Sequence, residues 1–345
     1  MKSTILKSAL SGTFSLLLGS LACAQGAPTL RIADSLPAGF PMIRYSTGHF
    51  IERMEKSMPS AIKFAHFPAE QLGKSRDLLS LTQSGIVDIG YVVPALISDK
   101  LPLSAIGDLP GAAGSACQGV MAYWTLVRPG GLLDKEEFQP LGLRVLYVAG
   151  NPPYQVFTRN KVLNSPDDLK GLKIRAPSGG QAIIMRRLGA VPVNIPGSEM
   201  YESLSRGTVD GLLFPVPGVL GYDLGGLLKN MSVGQNFGNV MNMHVISLKK
   251  WNTLPEAVRK AMDEAGEAAT RNVCARLDED TAKDTETLKS KGLAVNAWSE
   301  SDRQRVAEMR ESVGDQWAAD LDKRGKPGSV VLKAFRSALE DTQKR

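Results

Sequence analysis

Three histidines, three cysteines and no catalytic signature are the first facts of this 345-residue chain. His49, His66 and His244 form no zinc-binding pair at helical spacing. The chain has no Gly-x-Ser-x-Gly elbow, no phosphate-binding P-loop and no Gly-x-Gly-x-x-Gly opening a helix after a strand. His66, on an alternating strand, reads as structural rather than as a general base. Charge of one sign is also scarce: 41 Lys and Arg stand against 35 Asp and Glu. The small basic excess is not clustered among aromatics, so no nucleic-acid surface is expected. Beyond residue 24 no stretch approaches a transmembrane helix. These absences describe a binder better than an enzyme, and no cofactor or metal is expected.

Residues 1–24 have the plan of a cleavable export signal. Lys2 and Lys7 precede an apolar run through Phe14, Leu16, Leu17, Leu18 and Leu21, closed by the small-x-small Ala22-Cys23-Ala24. A lipoprotein anchor at Cys23 fits poorly, because Ser20 occupies a position that usually carries Leu. Cleavage after Ala24 removes two lysines and no acid, lowering the net charge from +6 to +4. A periplasmic location follows as the expectation. Only Cys117 and Cys274 then remain. An oxidising compartment allows them to pair, but sequence cannot bring their Cα atoms within bridging range, so either state is open. A mature chain of about 320 residues predicts two domains, since one core stops growing near that size.

The most informative stretch is Ser165-Pro166-Asp167-Asp168-Leu169-Lys170-Gly171-Leu172-Lys173-Ile174-Arg175-Ala176-Pro177. Ser and Asp side chains accept from free backbone N–H groups, so its start reads as a capped turn of helix that Gly171 terminates. Leu172 to Ala176 then alternates apolar and basic, the period of a half-buried strand. Arg175 falls at the end of that strand, before a Ser178-Gly179-Gly180 turn into a helix over 181–188. Open α/β sheets place ligand contacts there, and a guanidinium can satisfy both oxygens of a carboxylate. Spacing alone favours a solvated surface arginine.

Strands over 29–33, 61–67 and 87–93, with helices between them, give a β-α-β-α-β parallel pattern. The 102–131 segment reads as a loop and helix that cross or cover a cleft. Strands over 144–149, 155–159, 191–195 and 209–214 follow, with a helix over 198–205. Gly85-Ile86-Val87-Asp88…Pro94 is echoed by Gly207-Thr208-Val209-Asp210…Pro215, which fits two similar lobes around a cleft. Thr253-Leu254-Pro255-Glu256 reads as a capping box. It opens a helix running to Lys291, ~55 Å long at ~1.5 Å per residue. A strand over 293–297 and two amphipathic helices end the chain.

Asp-Asp-Leu-Lys-Gly-Leu-Lys-Ile-Arg-Ala-Pro resembles the signature of the DctP-type substrate-binding proteins of tripartite ATP-independent periplasmic (TRAP) transporters. Gln71-Leu72-Gly73-Lys74-Ser75-Arg76-Asp77 with Gly85-Ile86-Val87-Asp88 is similar to the family's first-domain helix and strand. Ser198 to Leu204 with Gly207-Thr208-Val209-Asp210-Gly211 and Pro215 resembles the second-domain counterpart. The resemblance implies an α/β periplasmic binding protein fold, two lobes around a ligand cleft with a long helix spanning both. The expected boundaries are 25–150 for lobe 1, 151–250 for lobe 2, and 251–345 for the long and C-terminal helices, partly returning to lobe 1. It also implies a small carboxylate ligand, TRAP permease subunits as partners, and a monomer, although some members pair through C-terminal helices.

Carried over residue by residue, the family's carboxylate-binding arginine falls on Arg175. A second arginine found in many members is replaced by Gln155, and a frequent Asn by Phe214. Tyr91, Val92 and Val93 stand where sialic-acid binders present an acidic residue. Each departure removes polar recognition and adds apolar or aromatic surface, worth roughly 25 cal/mol per Å² when a ligand covers it. The expected ligand is a small monocarboxylate with an aromatic or branched apolar portion, held by Arg175 with Gln155. Phe214, Tyr91, Val93, Tyr154, Ser178, Phe40 and Ser35 are the candidate lining. Ordinary core packing is the competing explanation for the aromatics. A uronate, a ligand-sensing module reporting to a membrane receptor, and an enzyme on the same scaffold are the alternatives.

Overall fold

The computed structural model describes residues 27–343 apart from Ala112 and Pro196; the expected signal segment 1–24 lies outside the described residues. Thr29–Ala33 (β1) buries Leu30 and Ile32 completely. Pro41–Ile43 (α1) winds into His49–Ser57 (α2), which buries Phe50 and Met54. Lys63–Phe67 (β2), Leu78–Gln83 (α3) and Ile89–Val92 (β3) follow. β1 pairs parallel with both β2 and β3, as the alternation of strand and helix patterns predicts. Ala116–Val127 (α4) and Leu143–Gly150 (β4) complete this part of the chain.

The second sheet begins with Gln155–Thr158 (β5) and Lys173–Arg175 (β6). Gly179–Arg187 (α5), Val191–Val193 (β7), Met200–Ser205 (α6) and Gly211–Phe214 (β8) come next. Val216–Gly221 (α7) leads to Asn230–Val233 (β9). Met241–Ser247 (β10) then returns to the first sheet, antiparallel between β3 and β4. Leu248–Trp251 (α8) is followed by the long Glu256–Ser290 (α9). Ala294–Ala297 (β11) joins the second sheet, and Glu300–Asp322 (α10) and Gly328–Gln343 (α11) close the chain. The sheet orders are β2-β1-β3-β10-β4 and β11-β9-β5-β8-β6-β7. Among the described residues no helix is long and apolar enough to cross a membrane.

Three expectations require correction. The 151–250 span is not all second lobe, because β10 is wholly buried in the middle of the first sheet. The Gly234-Gln235-Asn236-Phe237-Gly238-Asn239 stretch ahead of it is the crossover back to the first sheet, with Gly234 and Gly238 at positive φ. The helix expected to cover the cleft, α4, is instead a core element: Val120, Ala122, Tyr123, Trp124, Leu126 and Val127 are all buried against β4, α9 and α11. The loop ahead of it reaches the crossover between lobes, where Gly111 N–H donates to Asn236 O at 3.0 Å. The Thr253 capping box does not form. Thr253 Oγ1 donates back to Lys250 O, and Pro255 occupies the N-cap position of α9.

α9 runs along both lobes. Val258, Met262, Ala265 and Ala269 pack on the β1 and β4 side; Val273, Cys274 and Leu277 join the α4 core; Leu288 enters the second lobe's core. Gly266 permits the close crossing, since a Cβ there would lie 2.1 Å from Leu146 O on β4. α4 and α9 are tied twice. Asp278 on α9 accepts from Ala116 N–H at 2.7 Å and Cys117 N–H at 3.0 Å, a carboxylate at a helix N-terminus. Cys117 and Cys274 form a disulfide with Cα atoms 4.6 Å apart.

The crossovers between lobes, 151–154 and 234–240, run side by side. Asn151 N–H donates to Val240 O at 3.1 Å and Tyr154 N–H to Gly238 O at 2.9 Å. Asn239 Nδ2 donates to Asn151 O at 2.8 Å. Asp108 Oδ1 accepts from Met241 N–H at 2.9 Å, where the second crossover enters β10, while its Oδ2 is buried without a partner. Burial raises the Asp108 pKa from 3.8 to about 8, so the group is neutral at pH 7.

Two outcomes follow. Reducing the disulfide, or the Cys117→Ser/Cys274→Ser double variant, releases a loop of 157 residues and should cost about 2–4 kcal/mol, read as a lower denaturation midpoint. Because Asp108 titrates higher folded than unfolded, its contribution is full below pH 3.8 and is lost as pH rises toward 8. Asp108→Asn keeps the acceptor for Met241 and should flatten that fall, melting several degrees above the parent at pH 8 and not at pH 4. An unchanged pH profile would remove Asp108 as its source.

Candidate functional site

β5, β8 and β6 are neighbours, and their register builds the site. Gln155 lies opposite Phe214 and Phe157 opposite Leu212, while Arg175 lies opposite Leu212 from the other side. Side chains alternate along a strand, so Gln155, Phe157, Leu212, Phe214 and Arg175 share one face. The capped turn predicted ahead of β6 is present: Ser165 and Asp168 form a reciprocal box, and Gly171 adopts φ +77°. Lys173, on the same face as Arg175 but at the strand's outer end, is exposed.

Arg175 is only 7% exposed. Its Nε donates to Ile195 O at 3.1 Å and one terminal nitrogen to Leu213 O at 3.4 Å. Its guanidinium carbon sits 5.5 Å from the centre of the Phe214 ring. Among the described residues no acidic side chain pairs with it. Burial lowers its pKa, against an opposing influence of the Tyr154 and Tyr222 phenols. A guanidinium remains ionised in proteins, so the site holds a buried positive charge without a counter-ion. An anion that can take the free edge of the fork would supply one.

Four aromatic rings lead away from that charge, each edge-on to the next. Tyr154 and Phe214 are 6.1 Å apart at 75°, Phe214 and Tyr222 5.7 Å at 63°, and Tyr222 and Phe40 5.5 Å at 64°. Phe40 belongs to the loop after β1 and packs on the first lobe's core, so the row crosses between lobes. Val93 packs against clusters of both lobes. Gln155 Nε2 donates to Gln235 O and, at 3.4 Å, to Pro153 O. Two carbonyls thus fix the amide's orientation, and Oε1 is left buried without a partner.

The remaining candidates have local roles. Ser178 is the N-cap of α5, its Oγ accepting from Gln181 N–H at 3.3 Å. Tyr91 lies edge-on to His244 at 5.3 Å, and its hydroxyl reaches Met42 Sδ at 3.6 Å. Ser35 is half-buried in the loop after β1 and makes no side-chain hydrogen bond among the described residues.

Sequence reasoning missed the group beside Ser35. Asp34 is buried, with Oδ1 2.7 Å from His244 Nε2 and Oδ2 2.7 Å from His66 Nε2. Burial alone would raise its pKa, but His244 and His66 outweigh it and hold the carboxyl at about 2. Thr47 Oγ1 lies 3.1 Å from the same His244 nitrogen, and Tyr147 stacks on the imidazole at 4.3 Å. This group pins the end of β1, and with it the loop that carries Phe40. Its members are up to 210 positions apart, so no local spacing could reveal it. Tyr222 was also missed; the glycines at 218 and 221 before it are the only signal in the sequence.

Comparison with known proteins agrees with this architecture. The family model described as bacterial extracellular solute-binding protein, family 7 (DctP) matches residues 32–320. The C4-dicarboxylate-binding periplasmic protein DctP of Rhodobacter capsulatus is 26% identical, over 94% of this chain and 98% of that one. A TRAP solute-binding protein of Rhodoferax ferrireducens, solved with copurified benzoate, superposes with a TM-score of 0.82 at 23% identity, covering 92% of this chain and 98% of the other. One from Bordetella bronchiseptica, solved with both enantiomers of mandelate, gives 0.81 at 20% identity, covering 91% and 99%. The structural likenesses carry the fold, and the matched family model carries the membership: this chain belongs to the bacterial extracellular solute-binding proteins of family 7, the DctP family.

Proposed function

We propose that the chain captures a small monocarboxylate with an aromatic or branched apolar portion in the periplasm and delivers it to a TRAP permease. The observation that carries this reading is the buried Arg175 guanidinium, unpaired by any acid among the described residues and set against the Phe214 ring. A carboxylate is the complementary charge, and two parallel N–H···O bonds fix its plane. Phe214, Tyr154 and Tyr222 offer flat apolar surface next to it. The neutral amide of Gln155 supplies no second cation, which disfavours dicarboxylates, and its unpartnered Oε1 can accept from a ligand hydroxyl. The relatives solved with benzoate and mandelate hold acids of this type on the same fold.

Transport would work through lobe closure. A ligand shifts an open–closed equilibrium only by its differential affinity for the two states. Here the anion would meet Arg175 in either state, and the first lobe's Phe40 and Val93 only in the closed one. The closed form is then the species a permease can distinguish.

A thermal-shift panel of the mature protein tests this, running from aromatic and branched 2-oxo and 2-hydroxy acids to uronates and dicarboxylates. At ~100 times Kd a ligand should stabilise by about 2.7 kcal/mol, a shift of a few degrees. Apolar monocarboxylates should give it, and Arg175→Met should abolish it. Without ligand, Arg175→Met should melt at or above the parent, because it removes an uncompensated buried charge. A shift confined to dicarboxylates or uronates would sink the pocket reading, and a variant binding at full affinity would sink the anchor.

A further inference from the structure

We propose that Tyr222 is the residue that makes closure selective for flat, aromatic acids, acting as a panel between Phe40 of the first lobe and Phe214 of the second. The inference rests on the reading of Arg175 as the carboxylate anchor and adds the partner for the other end of the ligand.

The geometry around Tyr222 is cleared for rings. It stands at the C-terminal end of α7, its N–H bonded to Gly218 O at 3.0 Å. Asp223 after it adopts φ +54°, a left-handed conformation that a side-chain-bearing residue rarely takes, so the chain turns sharply and fixes where Tyr222 leaves the helix. Three glycines make room for three rings. A Cβ on Gly218 would lie 2.5 Å from Phe214 Cε1, and one on Gly221 2.9 Å from Phe40 Cε2. A Cβ on Gly197, in the loop after β7, would lie 3.0 Å from the Tyr222 hydroxyl oxygen. Backbone from α7 and from the β7–α6 loop thus approaches the aromatic row where any side chain would collide with it.

Within the row, Tyr222 is the only member in ring contact with both lobes: 5.5 Å to Phe40 and 5.7 Å to Phe214. Phe214 in turn lies beside the Arg175 guanidinium. Tyr222 is half-buried, and its hydroxyl has no hydrogen-bond partner among the described residues. Burial raises the pKa of that phenol while Arg175 pulls it down, which places the two groups within electrostatic reach. An acid whose carboxylate sits on Arg175 therefore projects its body toward Tyr222. Edge-to-face contacts are worth more than their buried area alone. A flat ring seated there meets Tyr222 and Phe214 in that arrangement, and Phe40 completes the stack only when the lobes close. A saturated body of equal size gains area but not ring geometry, so it rewards closure less.

The test compares benzoate with cyclohexanecarboxylate, of like size and charge, by titration calorimetry on the mature protein and on Tyr222→Ala, Tyr222→Leu, Tyr222→Phe and Arg175→Met. Circular dichroism confirms that each variant is folded, and Tyr222→Leu stands in if the alanine variant is not. Tyr222→Ala or →Leu should weaken benzoate at least about ten-fold and bring the ratio of the two affinities toward one. Tyr222→Phe should keep the preference for benzoate while losing no more than about a few-fold in affinity. Equal weakening of both acids, or an unchanged ratio, overturns the assignment. A parent that binds benzoate, loses it in Arg175→Met and keeps it in Tyr222→Leu retains the anchor and loses this inference. A parent that binds carboxylic acids but not benzoate also overturns it, and a parent that binds none overturns both readings.

Discussion

A guanidinium taken out of water without a partner is the constraint on which the rest of this structure turns. Desolvating such an ion is expensive unless excellent geometry offsets it. The chain offers Arg175 two backbone carbonyls, Ile195 O and Leu213 O, and one ring face. Those contacts hold the side chain in place and leave the charge itself unanswered. The surrounding pieces serve that placement. The capped turn before β6 starts the strand, Gly171 sets its entry, and the register with β8 puts Phe214 and Gln155 on the same face.

The first lobe solves a different problem with the opposite chemistry. Asp34 is as buried as Arg175 and fully answered, each oxygen taken by a histidine. Its low pKa keeps the Asp34 carboxylate ionised. One lobe is thus rigid where it presents Phe40, and the other is unsatisfied where it presents Arg175. On the proposed reading, an anion between the lobes would meet the Phe40 side of the first and the unpaired guanidinium of the second.

What could be read in the sequence followed the range over which each signal acts. Strands β1 to β3 and the α9 span rest on alternation and helical periodicity, and they appear where alternation and spacing put them. The place of Arg175 at the end of β6 was legible because one contiguous motif carries its strand, its stop and its turn; its burial was not, since spacing alone favoured a solvated surface position. β10 was not assigned to the first sheet, since its pairing between β3 and β4 joins segments about 150 and 100 residues away, which no local pattern encodes. The Thr253 capping box failed because α9 starts at Glu256 with Pro255 at its N-cap, which leaves Thr253 outside the capping position. Tyr222, Asp34 and Asp108 depend on contacts between distant segments, which local patterns do not encode. The pairing of Cys117 with Cys274 is of the same kind: both residues were visible, and only the packing of α4 on α9 brings them together.

That cross-link decides which lobe owns the long helix. With Cys274 bonded to α4 and Asp278 capping it, the N-terminal two-thirds of α9 is riveted to the first lobe. Only the last turns, around Leu288, belong to the second. Any relative movement of the lobes would therefore carry α9 with the first lobe's frame, a beam fixed at one end. Such a movement would be taken up toward the helix's C-terminal end, where Leu288 enters the second lobe's core.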